Sequence, residues 1–222
     1  MLEIQDFRDF SISNWYRIFE NITQKTFIIE LPHELPETLL SDENEVTSGD
    51  LPTDFQENLK NALNALDKNA FVKNNWHAPT DARMFSFGNM LKVNNLEDIL
   101  MYFTTSGIIQ EDFCNIKGLP FCLALRKWIN IHPAAEFRCI VINNVLRGIT
   151  PRDWPTYYAH YKEEGPKIIE DLSNFYNENI KLKFPRSNYT FDVILSKNVP
   201  DDIAPVFRYL ESDIGIMTRR LL

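Results

Sequence analysis

Five charged side chains interrupt stretches that are otherwise apolar and typical of β-strands: Lys73, Arg126, Lys127, Arg138 and Asp192. A charged residue in a strand most often faces solvent on the open side of a sheet, so each is compatible with an ordinary surface role. Several cations and a carboxylate on one sheet face would also suit a phosphate-bearing ligand with a divalent metal, because lysine and arginine neutralise phosphate oxygens and aspartate binds hard cations. The residues alone leave both interpretations open.

The common nucleotide-binding and hydrolase motifs are absent from the sequence. All seven glycines are isolated, so neither a GxGxxG dinucleotide loop nor a GxxxxGK[ST] phosphate loop can be written. The GxSxG, HExxH and EF-hand patterns are also missing, and the four histidines share no metal-ligand spacing. Rossmann and P-loop proteins are therefore excluded.

The composition of the 222 residues indicates a soluble globular protein, with 44% hydrophobic residues and a formal net charge of −8. This acidic balance argues against a nucleic-acid partner or an anionic membrane surface. The three cysteines form no CxxC pair, which favours a reduced compartment without structural zinc. The longest uncharged run, Ile99 to Gln110, is too short to span a bilayer. We expect a cytoplasmic protein with no membrane or nucleic-acid partner.

Hydrophobic periodicity predicts several short strands, at 25–31, 71–73, 82–87, 121–128, 137–142, 145–149 and 190–195. The two-residue connection Asn143-Asn144 predicts a hairpin between two of these strands. In that register, Glu136 and Arg138 share one face of the sheet.

Helices are predicted between the strands. One spans 54–66 and opens with a capping box of Thr53 and Gln56, and a second follows the N-cap Asn95. A third has Pro166 in its first turn, extends to about residue 180, and buries a stripe of Ile169, Leu172, Phe175 and Tyr176. The acidic stretch 32–54 is predicted to be a surface linker or a docking segment for a basic partner.

Four blocks of the sequence resemble the eukaryotic cell-division-cycle protein 123 family, whose members are ATP-grasp proteins that assist assembly of translation initiation factor 2. The blocks are FVKNNWHAPTDA, LALRKW, HPAAEFRCIVINNVLRGITPRDWPTYY and YTFDV, in family order. The likeness extends from about Ser13 to Asp192. It implies a mixed α/β, ATP-grasp-like fold with a small N-terminal subdomain at 1–118, which includes the acidic loop 32–54, and a larger sheet subdomain at 119–222.

The resemblance also implies an ATP site. Lys73 would lie over the nucleotide phosphates, closed by the turn at Trp76 and Ala78, and Arg138 would reach the phosphates from the larger sheet. Asp192 would be the first magnesium ligand. The adenine side would be lined by a hinge strand of four residues, Leu123, Ala124, Leu125 and Arg126.

The chain departs from the family pattern at three places. His77 stands where the family has a small hydroxyl residue, and Cys122 stands where a carboxylate usually opens the hinge. After about residue 195 the sequence ILSKNVPDDIAPVF replaces the Asp-Phe-Asn-Pro segment that supplies two further metal ligands in the family. The simplest interpretation is an internal deletion, so Asp192 alone should bind Mg²⁺ weakly.

Three functions are compatible with these observations. The first is a monomeric, non-catalytic ATP-binding chaperone that binds the gamma subunit of eukaryotic translation initiation factor 2 and supports translation initiation and cell-cycle progression. The second is an ATP-grasp ligase or phosphotransferase acting on a small molecule or peptide. The third is a nucleotide-independent interaction protein. The missing Asp-x-Asn motif argues against the second.

Overall fold

The computed structural model describes residues 4–40, 46–85, 91–195 and 211–213. The chain forms two compact units, one of residues 1–13 and 25–129 and one of residues 14–24 and 130–222. The boundary between them follows Ile129, eleven residues beyond the subdomain boundary predicted at 118, so the strand at 122–127 belongs to the first unit by its contacts. The sequence-based boundary stays a prediction.

The first unit contains a four-stranded antiparallel sheet in the order β1-β4-β2-β3. Its strands are β1 (Thr26–Glu30), β2 (Ala70–Lys73), β3 (Lys92–Val93) and β4 (Cys122–Lys127). The predicted strands at 25–31, 71–73 and 121–128 are therefore confirmed. β4 is central and pairs with β1 on one side and with β2 on the other.

Six α-helices are described between residues 4 and 115. They are α1 (Ile4–Phe10), α2 (Ile12–Phe19), α3 (Leu35–Leu40), α4 (Thr53–Ala65), α5 (Leu96–Thr105) and α6 (Gly107–Asn115). The boundary between the two units after Ser13 falls inside α2. The core of the first unit is formed by the apolar faces of α3 to α6 against the sheet.

The two predicted N-terminal caps, at α4 and α5, have different outcomes. Asn95 caps α5 as predicted, because its side chain accepts a hydrogen bond from the backbone N–H of Asp98. The prediction of a capping box at Thr53 and Gln56 is wrong. The residue that precedes the first turn of α4 is Pro52, which has no side-chain acceptor. Gln56 instead donates its amide to the carbonyl oxygen of Leu51, at 2.9 Å.

The acidic stretch 32–54 is not simply a surface linker. It contains α3 and a 3-10 turn at Ser48–Asp50, while residues 41–45 lie outside the described part of the chain. Leu35, Leu39 and Leu51 are buried in the core of the first unit. The charged residues of this stretch suggest a solvated linker, but the burial of the three leucines holds it in the core of the first unit.

The strand predicted at 82–87 is also wrong. Residues Thr80–Phe85 form a 3-10 helix, and residues 86 and 87 lie outside the described residues. Pro79 starts this helix, since its carbonyl oxygen accepts a hydrogen bond from the backbone N–H of Ala82. Asp81 then accepts hydrogen bonds from Ser106 Oγ and from the N–H of Ile108 at the start of α6, so the segment is held by helix-end contacts.

The second unit contains a second antiparallel sheet in the order β6-β5-β7-β8. Its strands are β5 (Glu136–Ile142), β6 (Val145–Pro151), β7 (Tyr189–Ile194) and β8 (Glu211–Asp213). The hairpin between β5 and β6 is confirmed, with Asn143 and Asn144 at φ of 53° and 56°, the left-handed pair that a two-residue turn of this kind requires. The predicted loss of sequence after about 195 falls on 196–210, outside the described residues.

The helix α7 (Tyr161–Phe175) lies in the second unit and continues into a π-helical turn at Tyr176–Ile180. It begins before the predicted start, so Pro166 lies in its second turn instead of its first. The buried stripe is also shifted, because Ile168 is buried and Ile169 is 56% exposed. Leu172, Phe175 and Tyr176 are buried as predicted.

Candidate functional site

Lys73 ends β2 and is 6% exposed, so it does not face open solvent as an isolated strand cation would. The turn that follows it is closed by Asn74. The side-chain oxygen of Asn74 accepts hydrogen bonds from the backbone N–H groups of Trp76 and His77, at 2.8 and 2.7 Å. The Asn74 N–H in turn donates to the carbonyl oxygen of His77. A buried lysine is thus followed by a tightly bonded turn.

Trp76 holds this turn against α1. Its indole N–H donates to the carbonyl oxygen of Phe7 at 2.7 Å, and its ring makes edge contacts with Phe7 and Phe121 at centroid distances of 6.0 and 5.8 Å. The side chain is 3% exposed. Ala78 is half-buried against the same core. In the first unit, Trp76 therefore fixes the turn through α1 and the core.

His77 is accommodated by Asp112 of α6, a residue that the sequence analysis missed. His77 Nδ1 lies 2.8 Å from Asp112 Oδ2, and the Asn74 amide donates to the same oxygen at 2.7 Å. Asp112 is 7% exposed, a burial that its hydrogen bonds make tolerable. The available signal was two adjacent carboxylates, Glu111 and Asp112, in the segment 108–113, which is too weak to indicate a partner 35 residues away.

The predicted hinge residues form the middle of the first sheet. Ala124, Leu125 and Arg126 pair with β1 and with β2, whereas Leu123 pairs with β1 alone because β2 ends opposite Ala124. All four side chains are buried, and Arg126 is 0% exposed. The interpretation of Arg126 as a solvent-facing residue is therefore wrong, and its burial sets it apart from Lys127, which pairs with the exposed Asp67 at 2.6 Å.

Cys122 begins β4 where the related family usually has a carboxylate. Its backbone N–H donates to the side-chain oxygen of Asn75 at 2.7 Å. Burial raises the pKa of the Cys122 thiol to about 12, so it is neutral at physiological pH. Cys122 thus supplies neither a negative charge nor a nucleophile.

Arg138 and Asp192 form the central ion pair of the second unit. They lie opposite each other on β5 and β7, and the guanidinium donates from Nε to Oδ1 at 2.7 Å and from Nη2 to Oδ2 at 2.8 Å. Their side chains are 15% and 9% exposed. The hydrogen bond to Asp192 raises the pKa of Arg138, so this guanidinium stays charged. A cation and a carboxylate predicted to serve one ligand are thus bonded to each other.

Two further residues of this polar sheet face escaped the sequence analysis as site residues. Arg152, directly after β6, has its Nε 3.4 Å from Asp192 Oδ2 and 3.8 Å from Glu136 Oε1. Glu136 and Arg138 share this face, as the hairpin register predicted. Burial, reinforced by the negative charge of Asp192, raises the pKa of the Glu136 carboxyl above its ordinary value.

The raised pKa of Glu136 predicts a pH-dependent stability. The folded protein binds this proton more tightly than the unfolded chain, so the stabilisation is complete below the ordinary glutamate pKa and is lost as pH rises through the raised folded pKa. We expect Glu136→Gln, which cannot ionise, to unfold at a higher urea concentration than the parent at neutral pH, with the gap closing below about pH 4. Glu170→Gln, at an exposed position of α7, is the control. Parallel pH profiles for parent and Glu136→Gln would contradict the prediction.

The polar face of the second sheet fits a divalent cation only if the cation arrives with phosphates. The described residues contain no group of three or more histidine, cysteine or acidic side chains that could hold a metal. Asp192 and Glu136 are the carboxylates near Arg152, and Mg²⁺ typically takes one or two carboxylates plus phosphate oxygens. Asp192, with Glu136 beside it, would hold such a cation, which would balance the phosphate charge.

The predicted site residues are distributed over both units. Seven lie in the first unit: Lys73, Trp76, Ala78, Leu123, Ala124, Leu125 and Arg126. Arg138 and Asp192 lie in the second.

Among the described residues, no helix is long and apolar enough to cross a bilayer.

Comparison with known proteins identifies the class to which the chain belongs. The D123 family model matches residues 41–208, well over half of the chain, so the chain belongs to the D123 family. A relative from Xenopus tropicalis named "Translation initiation factor eIF2 assembly protein" is 30% identical over 227 residues, which cover 82% of this chain and 67% of the relative. Cell division cycle protein 123 of Yarrowia lipolytica is 31% identical over 216 residues, which cover 82% of this chain and 58% of that protein.

The fold is shared with a solved structure of Cdc123 from Schizosaccharomyces pombe. The TM-score is 0.75 at 25% sequence identity, and the match covers 89% of this chain and 82% of the other. This match and the two antiparallel sheets with their helices confirm the predicted fold class. The chain spans about two thirds or less of the full length of the two sequence relatives.

Proposed function

We propose that this protein is a cytoplasmic, monomeric assembly factor for eukaryotic translation initiation factor 2, which binds the gamma subunit of that factor and uses bound ATP with Mg²⁺. The observation that carries the proposal is the match of the D123 family over residues 41–208. The name of the Xenopus relative supplies the partner, and the name of the Yarrowia relative supports a link to cell division. The role is one of binding and assembly without a catalysed bond-forming step.

The described geometry supports nucleotide binding in each unit. Lys73 is buried beside a turn whose backbone is fixed by Asn74, so its ammonium group is suited to phosphate oxygens. Leu123 lies beyond the end of β2, so no β2 residue stands opposite this position of the hinge strand. Arg138 and Asp192 supply a cation for phosphate and a carboxylate for metal.

Replacing Lys73 with alanine is expected to weaken ATP binding at least about tenfold, because a buried charge-assisted contact with phosphate contributes about 1.5–3 kcal/mol. Calorimetric titration of ATP with and without Mg²⁺ measures the loss. Lys60→Ala, at an exposed position of α4, is the matched control and should bind as the parent does. Equal affinity in Lys73→Ala and Lys60→Ala would exclude Lys73 from the site.

Capture of the purified gamma subunit, in parallel with a full-length relative, tests the partner. Failure of this chain to capture the subunit where the relative succeeds would overturn the assembly role. Loss of capture in Lys73→Ala would indicate that bound ATP supports the complex. Unaltered capture would favour the nucleotide-independent interaction protein, and ATP turnover stimulated by an acceptor would favour the ligase.

A further inference from the structure

Strand β1 forms one edge of the first sheet within the described part of the chain, with β4 on its inner side. Just beyond the end of this strand, the N–H of Leu31 donates to the carbonyl oxygen of Phe121 on the β4 side. Hydrogen-bonded and non-bonded pairs alternate in an antiparallel ladder, so the N–H and C=O groups of Ile28 and Glu30 point away from β4. These groups are therefore placed to pair with a further strand.

The edge of β1 lacks the usual protection against such pairing. Natural proteins commonly protect an edge strand with a proline, a β-bulge or a charged side chain in mid-strand. Residues 26–30, all of them described, contain none of these, since the register with β4 is regular and Phe27, Ile28 and Ile29 form an apolar centre. Charged side chains stand at the two ends, Lys25 just before the strand and Glu30 at its last position. The edge offers about 17 Å of strand to a partner segment.

A groove of about 630 Å³ lies along this edge, between β1 and α4. On the helix its lining residues, which recur at helical spacing, are Asn58, Asn61, Ala62 and Ala65. The two alanines are small, so they leave room for side chains of a partner segment. The two asparagine amides are exposed and can both donate to and accept from peptide groups. The groove thus offers space and polar groups suited to an extended peptide.

The two ends of the groove differ in charge. Lys25 lies at the end near Ala65, because its ammonium group donates to the carbonyl oxygen of Ala65 at 3.3 Å. Glu30 lies at the opposite end, and the exposed Asp54 precedes Asn58 by one helical turn on the same face of α4. A segment antiparallel to β1 starts opposite Glu30 and ends opposite Lys25. Charge complementarity therefore favours a segment with a basic residue first and an acidic residue last.

We propose that β1 and the groove beside it bind an extended segment of a partner protein, which adds to the first sheet as an antiparallel strand. The segment has a basic residue at its start, an acidic residue about five positions later, and apolar or small residues between them. Main-chain hydrogen bonds to Ile28 and Glu30 provide affinity, and the charged ends set direction and register. The site uses neither Lys73 nor Arg138, so its occupation does not depend on ATP.

The probe that tests this site is the peptide Lys-Val-Thr-Val-Thr-Glu with blocked ends, whose valines stand opposite Ile29 and Phe27 in the proposed register. NMR of the isotope-labelled protein follows binding, and the amides of Ile28 and Glu30 should shift and exchange more slowly with solvent. The reversed peptide Glu-Val-Thr-Val-Thr-Lys should bind about three- to tenfold more weakly, because both of its ends meet like charges. No binding of the first peptide up to about 1 mM overturns the proposal.

Two variants change the edge and the groove separately. Ile28→Pro removes the N–H that faces the partner but leaves the bonds to β4 in place, so it should lose peptide binding and keep a cooperative urea unfolding transition. Ala65→Phe fills the groove from an exposed position, whereas Asn64→Phe places the same ring on α4 outside the groove. We expect Ala65→Phe to lose peptide binding and Asn64→Phe to bind as the parent does.

Glu30→Lys tests the direction of the segment, since it leaves a basic residue at both ends of the edge. It should abolish the preference between the two peptides. Equal binding to Ala65→Phe and to the parent, or equal affinity of the parent for both peptides, overturns the proposal. A parent that dimerises, with the dimer lost in Ile28→Pro, would show that the edge pairs with a second copy and would also overturn it. Binding of ATP and of the gamma subunit is measured separately, so a failure of the peptide leaves the proposed function standing.

Discussion

Asp192→Ala is expected to lower the free energy of unfolding by about 3 kcal/mol, because removing one partner of a largely buried ion pair leaves the other charge uncompensated. Arg138 would then keep its guanidinium at 15% exposure without its two short hydrogen bonds to Asp192. Urea denaturation followed by circular dichroism measures the change.

Asp171→Ala is the matched control in the same unit. It removes a carboxylate that pairs with Lys167 across one helical turn of α7 at 40% exposure, and such pairs contribute about 0.3–0.5 kcal/mol. The double variant Arg138→Met with Asp192→Leu should recover much of the lost stability, since an apolar pair leaves no charge unpaired. An Asp192→Ala variant as stable as Asp171→Ala would show that water screens the pair fully.

The second large effect is expected in the core of the first unit. Phe113→Ala should cost about 3–5 kcal/mol, the usual range when a buried phenylalanine is truncated and a cavity remains. Phe113 is 2% exposed and its ring meets Phe121 edge-on at 4.8 Å and Phe103 at 6.3 Å. Because Phe121 also contacts Trp76, the cavity opens beside the turn that follows Lys73.

Phe85→Ala removes the same side chain from a position that is 58% exposed, and it should change stability by less than about 0.5 kcal/mol. Thermal and urea denaturation of both variants give the comparison. Equal losses of stability in the two variants would mean that the contacts of Phe113 with Phe103 and Phe121 add nothing measurable to the stability of the core. A weaker affinity for ATP in Phe113→Ala alone would connect packing of the cluster to the turn.

The elements that sequence alone predicted well are those with a strong local signal. Asn95 is a good N-cap before an apolar stripe, and Asn143-Asn144 favours the left-handed turn that the hairpin adopts. Local signals misled where a distant contact decides the structure. Segment 82–87 has strand-like composition, yet hydrogen bonds from Ser106 and Ile108 to Asp81 hold the described part as a 3-10 helix.

The candidate site shows the same limit. The strand positions of Lys73, Arg138 and Asp192 were predictable, because each charge interrupts an apolar run. Their burial was not, since a period-two pattern does not say which face of a sheet is covered. The contact between Arg138 and Asp192 joins residues 54 positions apart, and only the order of the strands places them side by side.

The path of the chain through its two compact units has a consequence for synthesis on the ribosome. The chain passes between the units three times, after Ser13, Gln24 and Ile129. Residues 14–24, which include the buried rings of Trp15 and Phe19, belong to the unit whose remaining residues begin at 130. At a translation speed of about 5–20 residues per second, several seconds or longer pass between the synthesis of these two residues and the synthesis of residues 130 onward, which belong to the same unit. The nascent chain must therefore shield them by transient contacts or by a chaperone during that interval.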